Sequence, residues 1–179
     1  MDISKITKGK NAPEEVNVII EISAGAGPVK YEFDKESGAL FVDRFLTTAM
    51  FYPANYGFIP HTLSDDGDPA DVLVISQTPL APGCVVESTP IGVLLMEDES
   101  GVDEKIIAVP KNELHPFSTE INTINDVPKA ILNQISHFFE RYKDLESEKW
   151  VKVKGFEDKE RALEIIQTSI ANCENSKLA

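Results

Sequence analysis

Hydrophobic and polar positions keep a short, β-like rhythm over most of the chain and turn helical after residue 126. Residues 16–22, VNVIIEI, form a β-branched run, and residues 29–33 alternate, with Lys30 and Glu32 on one face and Tyr31 and Phe33 on the other. Turn chemistry in DKESG, residues 34–38, followed by strand character over 40–45, predicts a hairpin across 29–45. Residues 51–60, FYPANYGFIP, mix aromatics with Pro53, Gly57 and Pro60 and read as an ordered loop or short edge strand, a setting in which sites often lie. Residues 71–76, 84–88, 91–96 and 105–109 predict four more short strands, and strands so regularly spaced indicate a small barrel. From Asp126 the period changes: Asp126 reads as an N-cap, Pro128 fits the first turn, and Ile131, Leu132, Ile135, Phe138, Phe139 and Tyr142 make one helical stripe. Residues 150–154 predict a further strand, and residues 160–170, with Ala162, Leu163, Ile166 and Ile170 on one face, a second helix. No repeat or linker interrupts the pattern, so residues 1–179 read as one domain.

Composition narrows the class. With 42% hydrophobic residues in 179, the chain can bury about 70% of its unfolded surface and needs no disulfide or zinc to hold a core. Ten Gly and eleven Pro are ordinary usage, which excludes collagen-like and disordered readings. Thirty acidic against seventeen basic residues leave a net charge of −13, which repels a phosphate backbone, so no nucleic-acid partner is expected. No run reaches the roughly 18 apolar residues of a membrane span, and the first residues lack the apolar core of an export signal; a cytoplasmic protein without membrane partners is expected. Cys84 and Cys173 lie far apart with no C-x-x-C, and no N-x-S/T sequon is present, so both are expected to be reduced, inert thiols.

Candidate chemistry begins with residues 64–71, SDDGDPAD, where four Asp crowd just ahead of an apolar strand and Gly67 and Pro69 force a bent backbone. Two carboxylates about 4 Å apart repel by roughly 4 kcal/mol at an effective dielectric of 20, so a convergent cluster calls for cations, protons or water. The plain alternative is a solvated acidic turn. An EF-hand fails, because from Asp66 the sixth position is Asp71 instead of Gly and the twelfth is Gln77 instead of Glu. Magnesium is favoured over zinc, since His61, His115 and His137 are scattered and read as surface or packing residues. A second acidic stretch, residues 97–104 (EDESGVDE), carries Asp98 and Asp103 and alone reads as a charged hairpin loop. Joined with Asp66 and Asp71 at one barrel end, it could share metals. Lys30, Arg44 and Lys143 are then candidates to grip an anion, although most such side chains merely solvate a face. Glu21 and Glu32 could face a barrel mouth or solvent, and Tyr142 could be core or a phenol donor beside Lys143. No P-loop exists, and GAGPVK at residues 25–30 fails the dinucleotide fingerprint.

The motif D-x-D-P-x-D, standing as Asp66-Gly67-Asp68-Pro69-Ala70-Asp71, with the flanking KYEFDKESGALFVDRF, TAMFYPANYGFIPHTL and HFFERYKDLE, resembles the soluble, magnesium-dependent inorganic pyrophosphatases of bacterial type over nearly the whole chain. The resemblance implies an α+β, mainly β fold: a five-stranded OB-type barrel with flanking helices. It implies hydrolysis of pyrophosphate to two orthophosphates by direct in-line attack of a metal-activated water, with Mg²⁺ as cofactor. Asp66, Asp71 and Asp103 match the principal metal ligands, Asp71 bridging; Asp98, Asp103 and Glu32 match ligands of the metals that accompany substrate. Asp68 matches the group that helps deprotonate the attacking water. Lys30, Arg44, Tyr56, Tyr142 and Lys143 match phosphate-holding groups, with Glu21, Tyr52 and Lys105 in support. A homohexamer, a dimer of trimers, is likewise implied. The rival readings are a non-catalytic OB-type binding module and a hydrolase for another phosphoanhydride such as a nucleotide.

Overall fold

The described residues form nine strands, β1 (Val16–Ile22), β2 (Val29–Phe33), β3 (Leu40–Phe45), β4 (Asn55–Phe58), β5 (Asp71–Val74), β6 (Val85–Asp98), β7 (Gly101–Val102), β8 (Lys105–Pro110) and β9 (Val151–Glu157), with helices α1 (Lys129–Arg141) and α2 (Lys159–Ser176). The computed structural model describes residues 1–114 and 120–176; His115, read above as surface or packing, lies outside the described residues. Five strands close a ring in the order β1, β4, β5, β8, β6 and back to β1, all antiparallel except the β5–β8 pair. This is the expected five-stranded barrel with flanking helices. Closure leaves the ring strands no unpaired edge along their paired lengths. The long β6 also carries β7 and β9 at its far end, while β2 and β3 make a separate two-stranded sheet.

Strands covered on both faces read as continuous apolar runs, and the period of two sorts their side chains between two cores. On β5 and β8, Leu73 and Ile107 join one core with Phe138, Phe139 and Ile135 of α1. Their neighbours Val72, Val74, Ile106 and Ala108 join the other, which Ala162, Ile165, Ile166 and Ile170 of α2 cover. Among the described residues, no helix is long and apolar enough to cross a membrane.

Three local expectations are corrected. Residues 55–58 are neither loop nor edge strand: β4 is buried throughout, between β1 and β5. Its composition suits that place. At Gly57 an added Cβ would lie 2.0 Å from the Ile19 carbonyl oxygen, so only glycine allows this approach. The fully buried Asn55 accepts from the amides of Ala24 and Leu80 and donates to Val74 O and Ser76 Oγ, which satisfies its whole amide. The expected strands 84–88 and 91–96 are, from Val85 onward, parts of one strand, β6, whose register shifts between Pro90 and Gly92, so the proline is absorbed in an irregularity instead of ending the strand. Asp126 does not cap α1. It closes a single 3-10 turn, Ile124–Asp126, accepting from Asn122 N, Thr123 N and Thr123 Oγ1, and Pro128 holds the N-cap position.

Candidate active site

At one end of the ring, the β4–β5 connection, the turns around β7, the β2–β3 hairpin and the end of α1 enclose a cavity of about 390 Å³. Every residue singled out from sequence for the site lines it: the six acids Glu32, Asp66, Asp68, Asp71, Asp98 and Asp103, then Lys30, Arg44, Tyr56, Tyr142 and Lys143, and finally Glu21, Tyr52 and Lys105. His61 and His137 do not.

Strand register builds the deepest part. In the parallel β5–β8 pair Asp71 stands beside Lys105, and Asp103 lies two residues before Lys105, hence on the same side. Lys105 Nζ donates to Asp71 Oδ2 at 2.5 Å and also to Asp103, and the residue is only 5% exposed. Burial alone would pull its pKa down, but the charges of Asp71 and Asp103 outweigh this and hold it above the usual lysine range. Tyr56, on β4, is pushed well above the usual phenol range by burial and by the neighbouring Asp71 and Asp103, so it stays a neutral donor.

The acidic connection is held by its own backbone. Thr62 Oγ1 donates to Ile59 O and accepts from Ala70 N, Ser64 N donates to Asp68 O, and Asp68 N donates to Asp66 Oδ1. Gly67 sits at φ +91°, a conformation that favours glycine. Leu63 N donates to Ser169 O of α2 at 2.8 Å, tying the loop to that helix. Burial, and then the charges of Asp71 and Asp103, push Asp66 above the usual carboxylate range; burial does the same to Asp103.

The other wall comes from elements outside the ring. Glu21 Oε1 accepts from Phe33 N at 2.8 Å, joining the β2–β3 sheet to β1. Burial pushes this carboxyl up to about 8, with the Asp71 and Glu32 charges adding to the effect. Of the two readings of Glu21, the one facing inward is therefore correct. Lys30 pairs across the hairpin with Arg44, and a register irregularity beside Lys30 brings Asp43 in as well: Lys30 bonds Glu32 and lies 3.7 Å from Asp43 Oδ2. After α1, Tyr142 stacks on Phe138 with ring centres 5.4 Å apart while lining the cavity, so it is both core and pocket. Thr48 Oγ1 fixes it from behind by donating to Tyr142 O. Lys143 Nζ reaches Asp98 Oδ2 at 2.6 Å and Glu99 Oε1 at 3.1 Å, and Glu99 Oε2 accepts from Trp150 N at 3.4 Å.

Sequence reading missed Glu99 and Lys149, which line the cavity, and Glu146, which bonds Lys149 at 2.9 Å. A usable signal existed: Lys143, Glu146 and Lys149 recur every third residue just past the helix.

Lysines divide the acids among themselves: Lys105 takes Asp71 and Asp103, Lys143 takes Asp98 and Glu99, Lys30 takes Glu32, and Lys35 takes Asp68. Accordingly, among the described residues no three His, Cys, Asp or Glu side chains are grouped to hold a metal ion. The donor set nevertheless fits a hard divalent cation: it offers carboxylate oxygens without His or Cys, and the raised pKa of Asp66 and Asp103 records burial and mutual repulsion that such a cation relieves.

Residues 18–174 match the sequence profile of the family described as inorganic pyrophosphatase. The chain is 59% identical to an inorganic pyrophosphatase of Caulobacter vibrioides over 170 residues, covering 95% of this chain and 96% of that protein. It is similar in structure to the inorganic pyrophosphatase of Helicobacter pylori, with a TM-score of 0.91 at 50% identity, covering 95% of this chain and 99% of that one. The Thermus thermophilus inorganic pyrophosphatase gives a TM-score of 0.91 at 46% identity, covering 97% and 99% respectively.

Proposed function

From the premise that the chain belongs to the inorganic pyrophosphatase family, and so hydrolyses pyrophosphate to phosphate, we propose how its residues divide that work. The observation that carries the assignment is the placing of a buried Lys105 between Asp71 and Asp103, with Asp66 alongside: a carboxylate group that already requires positive charge. Asp66, Asp71 and Asp103 would hold Mg²⁺ in the depth of the pocket, with Asp98 and Glu32 serving further Mg²⁺ ions that enter with substrate. Bound there, the cation offsets the polyanion's charge and acidifies a water.

The chain's own groups do the rest. Asp68 accepts a proton from the attacking water, which adds in line to one phosphorus as the bridging P–O bond breaks and the second phosphate leaves with the bridging oxygen. Lys30, Arg44 and Lys143 hold phosphate oxygens, and the phenols of Tyr56 and Tyr142 donate to them without losing a proton. Although burial lowers the pKa of Lys143, Asp98 and Glu99 outweigh it and raise the value, so this cation persists through neutral pH. Glu21, Tyr52 and Lys105 support the assembly: Glu21 anchors the hairpin, Lys105 spaces the acids, and Tyr52 packs on Phe138 at 4.8 Å between ring centres.

The proposal extends to a single domain over residues 1–179, a cytoplasmic setting and a homohexamer built as a dimer of trimers. Exposed Phe41, Val42 and Phe45 on β3 support association between copies. Orthophosphate release, measured with pyrophosphate or ATP, in Mg²⁺ or in chelator, tests the function. Fast release from pyrophosphate in Mg²⁺ alone is the expected result. Equal release from ATP would favour a broader phosphoanhydride hydrolase, and none from folded protein a binding module.

A further inference from the structure

Behind Arg44, two buried polar atoms face each other across a short gap. Arg44 Nε and Glu146 Oε1 are 4.0 Å apart, and neither has a hydrogen-bond partner among the described residues. Buried donors and acceptors are nearly always paired, so a complementary couple left just beyond bonding distance marks a contact that a small shift completes. The other oxygen of the same carboxylate, Oε2, is already engaged by Lys149 Nζ at 2.9 Å. Glu146 itself does not line the cavity, whereas Arg44 and Lys149 both do. Its backbone is fixed too, with Glu146 N donating to Lys143 O at 2.9 Å.

The placement matters because Arg44 belongs to a hairpin outside the ring and Glu146 to the turn between α1 and β9. The alternative carboxylate for Arg44, that of its neighbour Asp43, stands 4.0 Å from a terminal guanidinium nitrogen. An arginine drawn to Asp43 would turn its phosphate-binding edge to a carboxylate, whereas one held at Nε keeps its terminal nitrogens for an anion. We propose that Glu146 is a positioning residue for the pyrophosphatase reaction: anchored by Lys149, its carboxylate engages Arg44 Nε as substrate arrives and aims the guanidinium at a phosphate. The inference rests on the pyrophosphatase reading and adds a residue that never touches substrate.

The test is a double-mutant cycle read in steady-state kinetics with Mg²⁺, together with calorimetric binding of methylene diphosphonate, a pyrophosphate analogue that is not hydrolysed. Parent activity measured alongside checks the underlying reading separately. Glu146→Gln is expected to raise KM and the analogue Kd about tenfold, with kcat changed less than threefold and the unfolding midpoint kept. In an Arg44→Ala background the same substitution should raise KM less than threefold, and Glu146→Asp should recover part of the loss. Equal fold-changes in both backgrounds would overturn the proposal, as would an unchanged KM in Glu146→Gln. If Glu146→Gln fails to fold, Lys149→Gln replaces it: releasing the anchor should raise KM in the parent but barely in the Arg44→Ala background, and equal effects in both would again refute the coupling.

Discussion

The two walls of the pocket are built in different ways. Asp71, Lys105 and Tyr56 stand on ring strands, with Asp103 two residues from β8, so their spacing follows from backbone register. Lys30, Arg44, Lys143 and Lys149 come from a two-stranded sheet and a turn beyond a helix, joined to the ring through side-chain contacts such as Glu21 to Phe33 N and Thr48 to Tyr142 O. Burial follows this division only in part: the Lys105 side chain is 6% exposed, against 29% for Arg44 and 32% for Lys149, but Lys143 on the outer wall is also 6% exposed. The contrast teaches where dense charge can be afforded: mutually repelling acids are kept where the backbone cannot yield, and cations that must meet a substrate are kept where side chains decide.

The strongest way to break that contrast is Lys105→Met. It leaves Asp71 and Asp103 facing each other in a buried place, and stability in chelator should fall by about 3–5 kcal/mol, with Mg²⁺ restoring a large part. Urea unfolding with and without the metal checks it; equal losses in both conditions would count against a cation site there.

Glu21→Gln comes next and depends on pH. Because burial raises the folded pKa of Glu21 from 4.5 to about 8, its stabilising share is complete below the unfolded value and is lost as pH rises through 8. The Gln variant has no such titration. In chelator its stability relative to the parent should therefore grow between pH 5 and pH 8, by up to about 4 kcal/mol, and level off above. Unfolding midpoints across that range decide the matter, and parallel curves would mean that Glu21 is already ionised.

Asp71→Asn should leave a folded protein with at least about a hundredfold lower turnover, equivalent to roughly 2.7 kcal/mol of transition-state stabilisation. Near-normal turnover would remove Asp71 from the bridging role. On the outer wall the expected effect is smaller: Lys30→Ala should raise KM for pyrophosphate about tenfold, roughly 1.4 kcal/mol, with little change in the unfolding midpoint. Unchanged kinetics would demote Lys30 to a surface charge.

What sequence could reveal followed the same physics. Strands β1, β2 and β3 were legible because β-branched runs and the DKESG turn act locally. Strand β4 was not, since its Gly and Asn answer to a close neighbour and to four distant hydrogen-bond partners, neither of which leaves a local pattern. Pro90 misled for a related reason: a register shift hides the proline inside one long strand. Within the site, the Asp-rich motif stood out because so many acids in so few residues need a cause. Glu99, Glu146 and Lys149 did not, because in EDES and ESEK a pocket residue looks the same as a solvated one.

The bond between Trp150 N and Glu99 has a practical consequence. The chain contains one tryptophan, and that residue is 49% exposed, so it stands half in water beside the turn that Lys143 and Glu99 hold together. Intrinsic indole emission from this protein therefore has a single origin. Any change in its colour or intensity on adding metal or phosphate reads out this corner of the molecule without a label.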